Sequence, residues 1–295
     1  MNWLSGSKTP HTGRGTWHII ARKASVLGAA LLLSGCGLLS LAYNQLPNLS
    51  YWWLDDYFDF NTAQSTQVRN GLDALALWHK QNELQPYATL LDQASTLATN
   101  GFTAEQACQW MDTATARVDA LVAQAAPLAV PVMASLTAAQ LAHYQGYIDE
   151  RNEQWQDEQL RASPQDQLAF RLERSLKQLE RFYGRLSTEQ QAQVSQLLAS
   201  SSYQASEAFE RRTANQARLW AWLQAVQQAP VANHGAMAQG LLDVWHTSKQ
   251  WPQARRLQWC EQVVAFHDIM SPAQRQTASE TLAAYAQDLR AIASK

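Results

Sequence analysis

Leu168-Ala169-Phe170-Arg171-Leu172-Glu173-Arg174-Ser175-Leu176-Lys177-Gln178-Leu179-Glu180-Arg181-Phe182-Tyr183 places Leu168, Leu172, Leu176, Leu179 and Tyr183 at steps of three and four residues. Arg171, Glu173, Arg174, Lys177 and Glu180 all fall off that stripe. An apolar stripe at this spacing is one face of an amphipathic helix. The same period recurs outward in both directions and predicts helices over approximately 62–83, 86–99, 104–125, 138–162, 188–228, 234–250, 253–269 and 272–293. The 188–228 run carries a candidate break at Ser200-Ser201-Ser202, and no segment shows the alternation of a strand. Short connections between such helices predict an all-α, antiparallel multi-helix array or bundle.

The helices share one way of beginning. Phe102-Thr103-Ala104-Glu105-Gln106, Leu136-Thr137-Ala138-Ala139-Gln140, Leu186-Ser187-Thr188-Glu189-Gln190 and Met270-Ser271-Pro272-Ala273-Gln274 follow the same grammar, and Phe60-Asn61-Thr62-Ala63-Gln64 is its variant with Asn. Each reads as a capping box: the Ser, Thr or Asn oxygen accepts from the backbone N–H three residues on, and the Gln there reaches back to the cap's own N–H. Ser163-Pro164 reads as another helix start, and Asn100-Gly101 and Gly184 as left-handed helix ends. Pro127 and Pro131 predict a break in the third helix, so 124–135 is the expected joint if the domain over 51–295 has two lobes.

Residues 1–23 carry Lys8, Arg14, Arg22 and Lys23 and no acid, and residues 24–33 are apolar apart from Ser25 and Gly28. This is the pattern of a secretion signal, and its apolar run of about ten residues falls short of the roughly 20 needed to span a bilayer. The run closes on Leu33-Ser34-Gly35-Cys36, which resembles the lipobox of bacterial lipoproteins. The resemblance implies a signal peptide over 1–35, cleavage between Gly35 and Cys36, and a diacylglycerol and an N-acyl chain on Cys36. A short membrane-proximal tether over 36–50 would follow. Loss of residues 1–35 takes the formal charge from −2 to −6. An acidic chain disfavours nucleic acid as a partner. Gly37 stands where Asp would be the familiar inner-membrane retention signal, so the expected site is the periplasmic face of the outer membrane.

Cys108 and Cys260 both fall on apolar helix faces. A disulfide between them, closing a loop of about 150 residues and contributing on the order of 4–5 kcal/mol, and two separate buried thiols both fit the pattern.

Tyr43-Asn44, then Trp53-Leu54-Asp55-Asp56-Tyr57-Phe58-Asp59, then Trp78-His79-Lys80 with Glu83-Leu84 and Tyr87, resemble an uncharacterised family of Gram-negative envelope lipoproteins known only as a domain of unknown function. Arg181-Phe182-Tyr183-Gly184-Arg185-Leu186 is similar to that family's second signature. The family supplies no catalytic residues. The Ser/Thr-x-x-Gln helix starts also resemble the LTxxQ signature of Spy/CpxP-type periplasmic chaperones, which implies a membrane-tethered holdase with a concave apolar face as the alternative function.

Asp55 and Asp59 stand four apart and, with His79, form the candidate functional cluster; a hydrolase reading would rest on them. The same acids also suit the capping and solvation of a helix. His143, His246 and His267 are isolated in sequence, with no His-Glu-x-x-His or Cys-x-x-Cys spacing, so no metal is expected. No phosphate loop or nucleophile elbow is present, and an enzyme is not expected. Trp220, Trp222, Trp245, Trp251 and Trp259 gather toward the C-terminal half, and Trp220 and Trp222 cannot share one helix face. The expectation is a lipid-anchored, non-enzymatic binding or structural module that meets membrane lipid through its anchor and a protein or glycan through a helical surface. No cofactor is expected beyond the acyl chains.

Overall fold

The computed structural model describes the backbone of residues 34–295 and side-chain surroundings from residue 39 onward. Residues up to 33, where the sequence reading expects a signal segment, and the Cys36 side chain lie outside the described residues. The chain divides into two compact units, 1–44 and 45–295. In the first, Ser34–Asn44 is helix α1, which contains Gly35 and Cys36. The second holds α2 (Leu46–Phe58), α3 (Thr62–Asn82), α4 (Leu84–Asn100), α5 (Ala104–Ala134), α6 (Ala138–Gln159), α7 (Pro164–Tyr183) and α8 (Thr188–Ala199). It continues with α9 (Ala205–Gln228), a 3-10 turn (Val231–Asn233), α10 (His234–Ser248), α11 (Gln253–Asp268) and α12 (Pro272–Ala293). Among the described residues all regular structure is helical.

Three differences from the sequence reading have physical causes. The second unit starts at Gln45 rather than 51, because Pro47 opens α2 in its first turn and the helix then buries Tyr51 and Phe58. Helix α5 does not break at Pro127 or Pro131; it runs unbroken to Ala134, with no joint over 124–135. Two prolines cost backbone hydrogen bonds of about 3 kcal/mol each in a free helix. In α5, Ala126, Val130, Val132 and Met133 are buried in the largest core, and that burial outweighs the local penalty. Gly101 and Gly184 do have positive φ (76° and 74°), but with ψ of 164° and −168°, a region open to glycine alone rather than the left-handed helical one.

Two larger apolar cores, and a small third one of Ala107, Cys108 and Cys260, organise the second unit. The larger collects Tyr51 and Phe58 from α2, Val68 from α3, the C-terminal part of α5, Tyr144 from α6, and Trp222, Leu223 and Val226 from α9. The smaller gathers the α7 stripe, Leu168, Leu172, Leu176, Leu179 and Tyr183, against Leu186, Val194, Leu198 and Met270. Helices α4 and α12 lie along one another, close enough for buried alanines 88, 98, 278 and 286 and for Ser95 Oγ to donate to the Ser279 carbonyl at 2.9 Å. Helix α5 is long and apolar enough by length and composition to cross a membrane; it packs instead against α3, α4, α9, α10 and α11.

All five capping boxes form, at Asn61, Thr103, Thr137, Ser187 and Ser271. Four of them also pair across the fold. Gln140 Nε2 donates to Gln64 Oε1 at 2.7 Å, and Gln64 Nε2 donates back to Gln140 Oε1 at 3.2 Å. Each amide also donates to the carbonyl two residues before its partner's cap: Gln64 to Ser135 (2.9 Å) and Gln140 to Asp59 (2.8 Å). The same geometry recurs between α8 and α12. Gln190 Nε2 reaches Gln274 Oε1 (2.7 Å) and the Ile269 carbonyl (2.9 Å), and Gln274 Nε2 reaches Gln190 Oε1 and the Arg185 carbonyl, both at 3.1 Å. With the cap N–H that each oxygen also accepts, every amide fills its two donors and two lone pairs. The apolar residues just before these caps, Phe60, Leu136, Leu186 and Met270, are buried beneath the two locks.

Gln140→Ala would leave the Gln64 amide and the Asp59 carbonyl short of a partner in a buried site. It should cost about 2–4 kcal/mol, against roughly 0.5–2 for Thr137→Ala. The double variant Gln64→Ala/Gln140→Ala should lose less than the sum of the singles, with a coupling of about 1–3 kcal/mol. Urea midpoints measure this, and strict additivity would make the two glutamines independent caps.

Candidate functional site

The candidate cluster of Asp55, Asp59 and His79 does not assemble. Asp55 Oδ1 accepts from the Phe60 N–H at 2.9 Å, and Asp59, at φ 47°, ends α2 and offers its carbonyl to Gln140. Both acids therefore shape the turn into α3. His79 stands in the last turn of α3, about 17 residues and about 25 Å further along the helix axis. The cause is the straight run of α3, which separates residues that a sequence motif places near one another.

What His79 meets instead are Glu83 and Tyr87 of its own signature, joined by Arg117, which sequence reasoning missed. The His79 ring lies 5.6 Å from that of Tyr87, and its carbonyl accepts from the Glu83 N–H at the α3–α4 junction. Glu83 is only 3% exposed, and its Oε2 faces Arg117 Nη1 of α5 at 3.9 Å. Burial lowers the His79 pKa, and burial followed by the Glu83 charge raises that of Tyr87. The sequence signalled Glu83 and Tyr87 through the family-like signature, whereas Arg117 lies on another helix and could not be read. A buried carboxylate beside one guanidinium is a structural arrangement first, because removing either partner strands a charge.

His143 Nε2 meets the Asp56 carbonyl at 3.0 Å. His267 is buried, contacts the Tyr183 hydroxyl through Nδ1 at 3.0 Å and packs against Phe102 at 4.8 Å between ring centres. Burial pushes the Tyr183 hydroxyl up to about 12, so it stays protonated, and the tautomer of His267 sets which of the two groups donates. The other ring nitrogen, Nε2, is buried without a hydrogen-bond partner among the described residues. Burial first, then the Arg275 charge, holds the His267 pKa below its usual value.

The C-terminal tryptophans divide into two sets. Trp222 is buried and donates to the Met237 carbonyl at 2.8 Å, Trp245 donates to Asp119 Oδ1 at 2.8 Å, and Trp220 stacks with its centre 6.1 Å from that of Tyr144. Trp251 and Trp259, by contrast, are 43% and 38% exposed. They line a cleft of about 780 Å³ whose other walls are Asp112, Thr115 and Asp119 on one face of α5 and His246, Lys249 and Gln250 at the end of α10. The same two rings also line a neighbouring cleft of about 390 Å³ with Ser202, Tyr203, Arg211 and Gln258. Arg211 lies over the Trp251 ring at 5.2 Å.

The charges in the larger cleft are paired. Lys249 bonds both Asp119 oxygens, and Arg256 bonds Asp112 through Nη2 and through Nε at 3.2 Å. Burial raises the Asp119 pKa, but the hydrogen bonds from Lys249 and Trp245 outweigh it and leave the group below the usual carboxylate value. One turn from Asp112, Cys108 is disulfide-bonded to Cys260 of α11, with Cα atoms 5.6 Å apart, and this bridge and the Asp112–Arg256 pair together tie the α5 wall to the α11 wall. Among the described residues no group of three His, Cys, Asp or Glu side chains gathers as a metal site would need.

A family of unknown function (DUF6279) matches residues 56–241. No curated protein and no solved structure matches the chain. The α5 wall of the cleft lies inside the matched span, while the wall from His246 to Trp259 lies beyond it.

Two outcomes follow from these contacts. The bridge spans 152 residues, so Cys260→Ser or dithiothreitol should lower stability by on the order of 4–5 kcal/mol, read as a fall in the thermal midpoint. A histidine whose folded pKa lies below its unfolded value of 6.5 contributes stability above that value, and the contribution is lost as pH falls through the lowered folded pKa. Acidification from pH 7 to 5 should therefore lower the midpoint more steeply in the parent than in His267→Phe, and parallel curves would remove His267 from the acid response.

Proposed function

The chain belongs to a family of unknown function (DUF6279), which prescribes no activity, and from its own residues we propose that it is a lipid-anchored envelope lipoprotein acting as a non-enzymatic binding module. The observation that carries the anchoring is Leu33-Ser34-Gly35-Cys36 at the end of an apolar run behind four basic residues. Cys36 bears the diacylglycerol and N-acyl chain, and several acyl chains at about 0.8 kcal/mol per buried methylene hold firmly. The Cys108–Cys260 bridge suits the oxidising periplasm. Leu46, Leu49, Trp52 and Trp53 leave an apolar face of α2 exposed, as a helix resting on the periplasmic face of the outer membrane requires.

Binding is assigned to the Trp251–Trp259 clefts, where exposed aromatic rings and paired polar groups meet. In the larger cleft Lys249 and Arg256 neutralise Asp119 and Asp112, instead of leaving them free as a general acid and base would be. The alternative of a tethered holdase draws on the paired capping boxes; Phe60, Leu136, Leu186 and Met270 beside those caps are turned into closed cores, which favours the binding module.

Cys36→Ala should abolish labelling by a palmitate analogue and release the protein from the membrane fraction. In vesicles, brominated lipids should quench the wild type more than Trp52→Phe. Label that persists in Cys36→Ala overturns the anchor, and absence of quenching in both proteins overturns membrane contact by α2.

A further inference from the structure

We infer that the paired clefts at Trp251 and Trp259 form a subsite for a neutral oligosaccharide, built of uncharged hexose or N-acetylhexosamine units. The inference rests on the reading of these clefts as the binding surface and names what they hold. Its first support is the tryptophans themselves. Trp110, Trp222 and Trp245 spend their indole N–H groups on Leu90, Met237 and Asp119 inside the fold. Trp251 and Trp259 stand about two-fifths exposed, with their rings shared between two clefts. A ring held open to water costs burial that a folded chain otherwise gains, and a flat apolar partner recovers it.

Charge supplies the second support. In the larger cleft Lys249 is paired with Asp119 and Arg256 with Asp112, so equal numbers of opposite charges are already satisfied by each other. In the larger cleft an anionic or cationic ligand would have to break those pairs; the smaller cleft adds Arg255, paired with Glu207, Arg211, which lies over the Trp251 ring, and the opposite charge of Glu261. A neutral ligand breaks no pair, and the side-chain oxygens and nitrogens at the rim still offer acceptors and donors in the plane of a ligand's edge. Asp119, Asp112, Thr115 and Gln250 are such groups. A pyranose combines the two demands: C–H bonds on a flat face for indole, and hydroxyls around its edge for carboxylates, amides and hydroxyls.

The third support is extent. Two clefts of about 780 and 390 Å³ meet at the same two rings, as an elongated chain of repeating units would need. A peptide is the competing occupant. An extended peptide adds to a sheet edge, and the described residues hold no strand; a proline-rich peptide docks on aromatic grooves but brings no hydroxyls for the polar rim.

The test titrates the full chain in detergent micelles, by calorimetry, with chitotetraose, maltotetraose and a neutral proline-rich decapeptide. We expect saturable binding of at least one of the sugars. Affinity should fall by about tenfold or more in Trp251→Ala and Trp259→Ala, which lose an exposed anchor. Trp259→Phe should recover part of it. Affinity for the sugar should not change between low and high salt, because no net charge is exchanged. Thermal midpoints equal to the parent's keep the variants interpretable. Binding of neither sugar, or sugar binding unaltered in both alanine variants, overturns the inference. Decapeptide binding that depends on the two tryptophans, without sugar binding, overturns it while leaving the binding clefts in place. A photo-crosslinking residue at Gln250 that captures nothing in intact cells, together with no binding of any probe, overturns the binding reading as well.

Discussion

Two glutamine side chains, facing each other across the start of two helices, hold the larger core shut. Gln64 and Gln140 are 3% and 7% exposed, and a buried primary amide is costly unless each donor and lone pair is filled. Each fills them in one way: it accepts from its own cap, exchanges bonds with its partner, and donates to the carbonyl two residues before the partner's cap. The geometry therefore fixes the helix start, the turn before it and the spacing between two helices at once. Asp59 at φ 47° is held by this network, which is why a non-glycine residue can occupy that backbone region.

The second lock, Gln190 with Gln274, repeats the pattern over the smaller core. It closes a contact between α8 and α12, elements far apart in the chain, and so does for the C-terminal half what the first lock does for the N-terminal half. The fifth box, at Thr103, faces no second glutamine among the described residues. There the covalent bridge from Cys108 to Cys260 holds the start of α5 to α11. Each helix start that anchors a long-range contact thus has one specific device, polar or covalent, and apolar packing fills the space between.

The cleft at Trp251 and Trp259 lies between helices that this third device joins. Asp112, Thr115 and Asp119 project from α5 at steps of three and four, within reach of Arg256 and Lys249. The disulfide lies one helical turn before Asp112, and the cleft itself is lined by side chains that hold charge and by water-facing aromatic surface.

Much of the architecture is local and was readable in the sequence. The three-and-four spacing from Leu168 to Tyr183, the capping boxes, and the serine break between α8 and α9 each depend on neighbours within a few residues, so the sequence alone predicts helices and their starts. Pro127 and Pro131 misled because propensity is local, whereas the burial of Ala126, Val130 and Met133 is not. The failure of Asp55, Asp59 and His79 to meet, the approach of Glu83 to Arg117, and the bond between Cys108 and Cys260 were all decided by how helices pack. So was the pairing of the glutamines. The sequence determined which residues could cap a helix and what charge the chain carries; only the tertiary structure determined which caps face each other and which tryptophans stay in water, because these depend on distances between segments that no local pattern encodes.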